Sequence, residues 1–172
     1  GASDFEFIEL TNTGDVSLDI SGAQLVEGIH FVFPPATLLQ AGASVLVVAN
    51  LEAFEARYGN ELNVVGEYAG QLDNSGEEIQ LHDDAGENVL EFIYDDEWYP
   101  ETDGAGYSIQ VNGNALLPDD WDLSASWEPS LILGGTPGLG SDDNLVVFRE
   151  WKKRFYSAIE ADDASISGPG SD

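Results

Sequence analysis

The chain has no cysteine and no methionine, and among its 172 residues only 5 Lys or Arg stand against 33 Asp or Glu. Without Cys there are no disulfides, zinc–thiolate sites or cysteine nucleophiles. The lack leaves the compartment open, since an exported protein can do without disulfides. Without Met there is no initiator residue, and no signal peptide is present. The chain reads as an excised or processed piece of something longer, with an expression-tag scar at Gly1 to Ser3 as the alternative for the first residues. No apolar run approaches the roughly 18 residues of a membrane span. The net charge of −28 repels a polyphosphate from every side, which excludes nucleic acid as a partner.

The few cations are unevenly placed. Through Phe148 only Arg57 is basic, besides His30 and His82; Arg149, Lys152, Lys153 and Arg154 follow within six residues of one another. A body so poor in cations forms few salt bridges, so its carboxylates must be solvated, hydrogen-bonded or bound to metal cations. Self-repulsion weakens such a fold at low salt and screening restores it. The expectation is a saline or calcium-rich setting, extracellular or at the cell surface; a highly soluble surface is the plainer alternative.

A hydrophobic fraction of 42%, with 4 Trp, 6 Tyr and 8 Phe, is enough for a core and rules out wholesale disorder. Clean alternation at Val16 to Ile20 and Ile29 to Phe33, and further strand-like runs at Phe5 to Leu10, Ser44 to Ala49, Glu78 to Leu81, Val89 to Tyr94 and Tyr107 to Val111, predict strands. Turn residues separate them, as at Asn12-Thr13-Gly14-Asp15, Pro34-Pro35 and Asp83 to Gly86. Many short strands with frequent turns indicate an all-β sandwich or barrel. Ser44 to Ala49 is nearly all apolar, as a central strand covered on both faces would be.

One short helix interrupts the strands. Asn50 is an N-cap, Glu52 suits the first turn, Leu51, Phe54 and Tyr58 share a face, and Gly59 closes the C-terminus. A second, amphipathic helix is expected within 141–160, with Phe148, Trp151, Phe155 and Ile159 as its apolar stripe and the basic cluster opposite. Residues 161–172 are small and polar, reading as a linker to a missing C-terminal region.

Several motifs, in order, resemble the lamin-tail domain, an immunoglobulin-like β-sandwich. Phe7-Ile8-Glu9-Leu10-Thr11-Asn12 with Gly14 is similar to its opening signature, and Leu18-Asp19-Ile20-Ser21-Gly22 to the segment that follows. Phe33-Pro34 with Leu39-Gln40-Ala41-Gly42 resembles the approach to the central strand. Leu72 to Glu77, then Leu81-x-Asp83-x-x-Gly86, resembles the late hairpin. Asp103-Gly104-x-Gly106-x-Ser108 and Gly135-Thr136-Pro137-Gly138 complete the series. The resemblance implies a sandwich over 1–140. Asn12 and Gly14 suit a turn with an Asx side chain and positive φ, while Gly22 suits a close approach or a bulge.

Family members carry a strand ahead of the opening signature, whereas four residues precede Phe5 here. Either a preceding segment is lost, or the open edge accepts a strand in trans. The tail is similar to junctions in large bacterial surface and secreted proteins. The resemblance thus implies a non-catalytic module for binding, adhesion or domain spacing, with neighbouring domains of the same polypeptide or another surface protein as partners. Self-assembly through strand edges or the tail helix is a further alternative.

No catalytic constellation emerges. His30 and His82 are the only histidines, nothing places either beside a particular Ser, and there is no Gly-x-Ser-x-Gly elbow, phosphate loop or dinucleotide fingerprint. Paired carboxylates are expected by chance in so acidic a chain. Calcium is the one cofactor the residues invite, because hard cations seek several oxygens and the acidic loops supply them: Asp83, Asp84, Asp95, Asp96, Glu97, Asp119, Asp120, Asp142 and Asp143. None has EF-hand spacing, so any site would need loops that meet in space. Trp98, Trp121 and Trp127 are expected to cap the ends of the sandwich; as exposed platforms they would instead bind polysaccharide.

Overall fold

The computed structural model describes residues 2–112 and 118–138. The expected helix at 141–160, the linker at 161–172, and Asp142 and Asp143 lie outside the described residues. Among the described residues twelve short strands and one α-helix run in the order β1 (Phe7–Thr11), β2 (Leu18–Asp19), β3 (Gln24–Glu27), β4 (Ile29–Val32), β5 (Leu38–Leu39), β6 (Ser44–Val48), α1 (Leu51–Tyr58), β7 (Val64–Glu67), β8 (Ala69–Gly70), β9 (Glu77–His82), β10 (Asn88–Tyr94), β11 (Ile109–Val111) and β12 (Trp127–Pro129).

Two sheets make the immunoglobulin-like sandwich. One has the order β1-β6-β7, the other β10-β9-β3-β4-β8; β2 with β5 and β11 with β12 form two small ladders. β1 runs antiparallel to β6, whereas β7 lies parallel to it. Such a parallel neighbour needs a crossover connection, which the helix supplies.

Strand β6 holds the architecture together because both its faces are covered. Val45 and Val47 join Leu10, Leu25, Ile79 and Leu81 between the sheets. Leu46 and Val48 pack on the other side against Phe54 of α1. That double burial is why the strand reads as a continuous apolar run. The helix forms as its caps require: the Asn50 side chain accepts from the Ala53 amide, and Gly59 has φ +86°. Phe7, Phe54 and Tyr58 then meet as a ring cluster, with centroids 4.7 to 6.0 Å apart.

Asn12 is wholly buried and ties three segments together. Its Nδ2 donates to the carbonyls of Val16 and Leu39, and its Oδ1 accepts from the Gly14 amide. The Asx turn is therefore as expected, but Gly14 is not among the positive-φ glycines. What Gly14 supplies is room, since a Cβ there would lie 3.1 Å from Asn12 Oδ1. Gly22 has φ +77° and lies close enough to Asp84 that a Cβ would meet it at 3.0 Å, the close approach its sequence context implied.

Some boundaries differ from the sequence reading. Phe5 ends a 3-10 turn, Ala2–Phe5, with the Glu6 amide bonded to the Ser3 carbonyl, so β1 starts at Phe7. Only Leu18–Asp19 of the run from Val16 to Ile20 is strand. Strands β3, β5, β7, β8 and β12 were not anticipated. Replacing Phe54 with Ala removes the plug beneath β6 and should cost about 3–5 kcal/mol, measured by urea denaturation; a loss under about 1 kcal/mol would show that α1 does not anchor the sheet.

Candidate functional site

Among the described residues the expected acidic loops do not converge. Asp83 and Asp84 sit in the β9–β10 hairpin, whereas Asp95, Asp96 and Glu97 follow the far end of β10. Asp83 is buried, and its Oδ1 accepts from the Ala85 and Glu87 amides, so it shapes the turn; Asp84 is exposed. Asp95 caps a 3-10 turn by accepting from the Glu97 amide. Asp119 and Asp120 lie in another 3-10 turn, Pro118–Asp120. Among the described residues no three His, Asp or Glu side chains are grouped so as to hold a metal ion. His30 is exposed, and His82 Nε2 lies 3.1 Å from Gln80 Oε1.

The tryptophans build a second core. Trp121 and Trp127 are buried and pack edge-on, with ring centroids 5.6 Å apart, over Phe92 and Val111. Trp127 Nε1 donates to the Trp121 carbonyl at 2.6 Å, and the Tyr99 hydroxyl sits 2.8 Å from the Trp127 carbonyl. Trp98 is half-buried beside Trp127. These indoles close one end of the sandwich, as expected, and the two buried ones cannot serve as an exposed stacking platform.

Between this aromatic end and β1 lies a cleft of ≈ 390 Å³. Its walls come from both sheets: Ile8 and Leu10 of β1 on one side, Leu81, Leu90 and Phe92 on the other, with Ile109 of β11 opposite β1. Register points Ile8, Leu90 and Phe92 at the interior, yet all three remain only half-buried. The cleft uncovers them. Its rim carries Glu6, Glu9, Asp73, Asp95, Asp96 and Asp103 against the single guanidinium of Arg57. Arg57 lies over the Phe5 and Tyr58 rings, at 4.8 and 5.3 Å.

The electrostatics of the rim follow from crowding. Burial pushes the Glu6 carboxyl above its ordinary value; the Tyr68 hydroxyl, 3.2 Å away, and the Leu72 backbone pull it down, while Glu77 and Asp4 raise it further. Burial likewise raises Tyr68 and Tyr94, each facing carboxylates of this group. Tyr94 donates to the Asp73 carbonyl and lies 3.0 Å from Glu77 Oε1, which also accepts from the Asp73 amide. Asp73 itself is held low by the Ser75 hydroxyl and amide, and Asp19 by those of Ser21.

The sequence had pointed to the open edge of the first strand but not to the cleft beside it, whose other walls come from β10, β11 and the Trp121–Trp127 segment. A family model described as Lamin Tail Domain matches residues 1–96, more than half of the chain. No curated protein matches the chain.

Two outcomes follow. Glu6 binds its proton more tightly when folded, so its contribution is complete below the ordinary value of 4.5 and is lost as pH rises through the raised one. Glu6→Gln should therefore raise Tm at pH 7, with the gain shrinking towards acid; an equal gain at every pH would refute the assignment. Asp19 and Asp73 act oppositely, adding stability that is lost as pH falls below their ordinary 3.8. For cations, calcium and magnesium should raise Tm equally at matched ionic strength, as screening of a charge of −28 requires. A saturable excess for calcium would instead establish a specific site.

Proposed function

The chain belongs to the lamin tail domain family, and from that premise we propose that it is a non-catalytic interaction module of a larger extracellular or cell-surface protein, binding a segment of another protein in the cleft beside β1. The observation that carries this reading is the cleft itself: interior-facing Ile8, Leu90 and Phe92 left half-buried, beside a strand β1 that pairs only with β6 among the described residues. An apolar floor within a polar rim is the anatomy of a recognition groove.

The acidity supports the location. With one Lys or Arg before residue 149, the described body relies on dissolved cations to relieve its self-repulsion, and saline or calcium-bearing fluid outside cells provides them. Family membership supports an interaction role, and the histidine environments supply no nucleophile–base pair to set against it: His82 is engaged with Gln80, and His30 faces outwards.

The test is selection of random displayed peptides on the immobilised full chain, followed by photo-crosslinking of the enriched sequences. Crosslinks should fall on cleft residues such as Ile8, Phe92 and Ile109, and Asp95→Lys with Asp96→Lys should weaken the basic binders by about fivefold or more. No enrichment, or crosslinks on another face, would overturn the proposal.

A further inference from the structure

The loop between β8 and β9, residues 71–76, is held by two carboxyl groups, one beside each sheet. Glu6 precedes β1 of the small sheet and accepts from the Leu72 amide. Glu77 opens β9 of the large sheet, and its Oε1 accepts from the Asp73 amide at 2.8 Å. Two tyrosyl hydroxyls complete the arrangement. Tyr68, buried where the chain passes from β7 to β8, donates to Glu6 Oε2 at 3.2 Å. Tyr94 of β10 reaches the Asp73 carbonyl at 2.7 Å and Glu77 Oε1 at 3.0 Å. Glu77 has little room to turn away, since a Cβ on Gly28, between β3 and β4, would come within 2.6 Å of its Oε2.

The charges acting here are all of one sign. Glu6 faces Glu77 and Asp4, Tyr68 faces Glu6 and Glu77, and Asp73 adds its charge at Tyr94. No Lys, Arg or His is among the groups that shift Glu6, Tyr68 or Tyr94. From α1, which packs on the turn before Glu6, Arg57 lies over the Phe5 and Tyr58 rings. Glu67 of β7 accepts from the Leu51 amide. A half-buried carboxylate beside a second one is disfavoured both by lost hydration and by repulsion, and here no cation offsets either.

We propose that Glu6 is the pin of a proton-controlled clasp: protonated, it holds residues 71–76 across the two sheets, and ionised beside Glu77 it lets that loop open ahead of the rest of the fold. Opening returns Glu6 to water, where its ionised form carries no penalty, so rising pH moves the balance towards the open loop. The direction follows from burial, which raises Glu6 above its ordinary 4.5. The clasp's contribution is complete below that value and is lost as pH rises through the raised one. Leu72 packs against the core between the sheets, so the same opening uncovers one margin of that core. The clasp is independent of any occupant of the cleft.

Amide hydrogen exchange on the full chain, corrected for the intrinsic effect of pH, reads the clasp directly. From about pH 5 to about pH 8, protection of the Leu72 and Asp73 amides should fall about threefold or more, and that of Val45 in β6 should change less. In Glu6→Gln the loop should stay protected across the range. Carboxyl-carbon chemical shifts then separate a proton switch from a merely structural contact. Tyr68→Phe removes a hydroxyl that favours ionised Glu6 and should move the Glu6 midpoint up, whereas Glu77→Gln removes an opposing charge and should move it down. Tyr68→Phe keeps the buried ring, so it reads the switch even where Glu77→Gln fails to fold. A Glu6 midpoint that ignores Tyr68→Phe, or a loss of loop protection that persists in Glu6→Gln, would overturn the proposal.

Discussion

Two-sided burial of β6 is the constraint on which the rest depends. A strand whose Val45 and Val47 enter one core while Leu46 and Val48 enter another leaves no face for water. Its neighbours are therefore dictated. A second sheet must cover one side, and α1 must cover the other with Phe54. The helix in turn carries the chain across to β7, so that β7 runs parallel to β6. Among the described residues β1 is joined to the sheet on one side only.

Much of this was legible in the residues. The apolar run Ser44 to Ala49 announces a strand covered twice, and Asn50 and Gly59 bracket the helix because capping chemistry is local. Asn12 was legible as a turn former, although its carbonyl partner Leu39 could come only from the folded chain. Strands β3, β7 and β12 were not legible, for physical reasons. Gln24–Glu27 is too short to display a period, and Val64–Glu67 contains Gly66. Trp127–Pro129 ends in a residue that cannot donate to a ladder. Each is strand because a neighbour pairs with it, not because of its own preference.

The cleft was half legible. The open edge of β1 follows from the opening signature, but the opposite walls are built by Phe92, Ile109, Trp121 and Trp127, some eighty residues or more away in sequence. Nothing short-range signals that Trp127 will donate to the Trp121 carbonyl and close that end. The acidic loops pose the reverse problem. Their composition resembles that of cation sites, yet Asp83 and Asp95 are occupied with backbone amides of their own turns. An Asp that shapes a turn and an Asp that binds an ion look the same in a sequence. The difference lies in which donors the fold brings to its oxygens.

Acidity and the open edge also belong together. An unpaired strand beside apolar side chains is a template for indiscriminate pairing, and proteins guard such edges with charge. Here Glu6 and Glu9 stand at the edge itself, with Asp73, Asp95, Asp96 and Asp103 around the mouth. Pairing of two copies edge to edge would bring like charges together in a partly desolvated groove, where burial already disfavours the ionised form of Glu6. The same charges favour the basic binders proposed for the cleft. Discrimination therefore comes from what the rim rejects as much as from what the floor accepts. In the function proposed for the cleft, charge guards the groove while its apolar floor receives the partner.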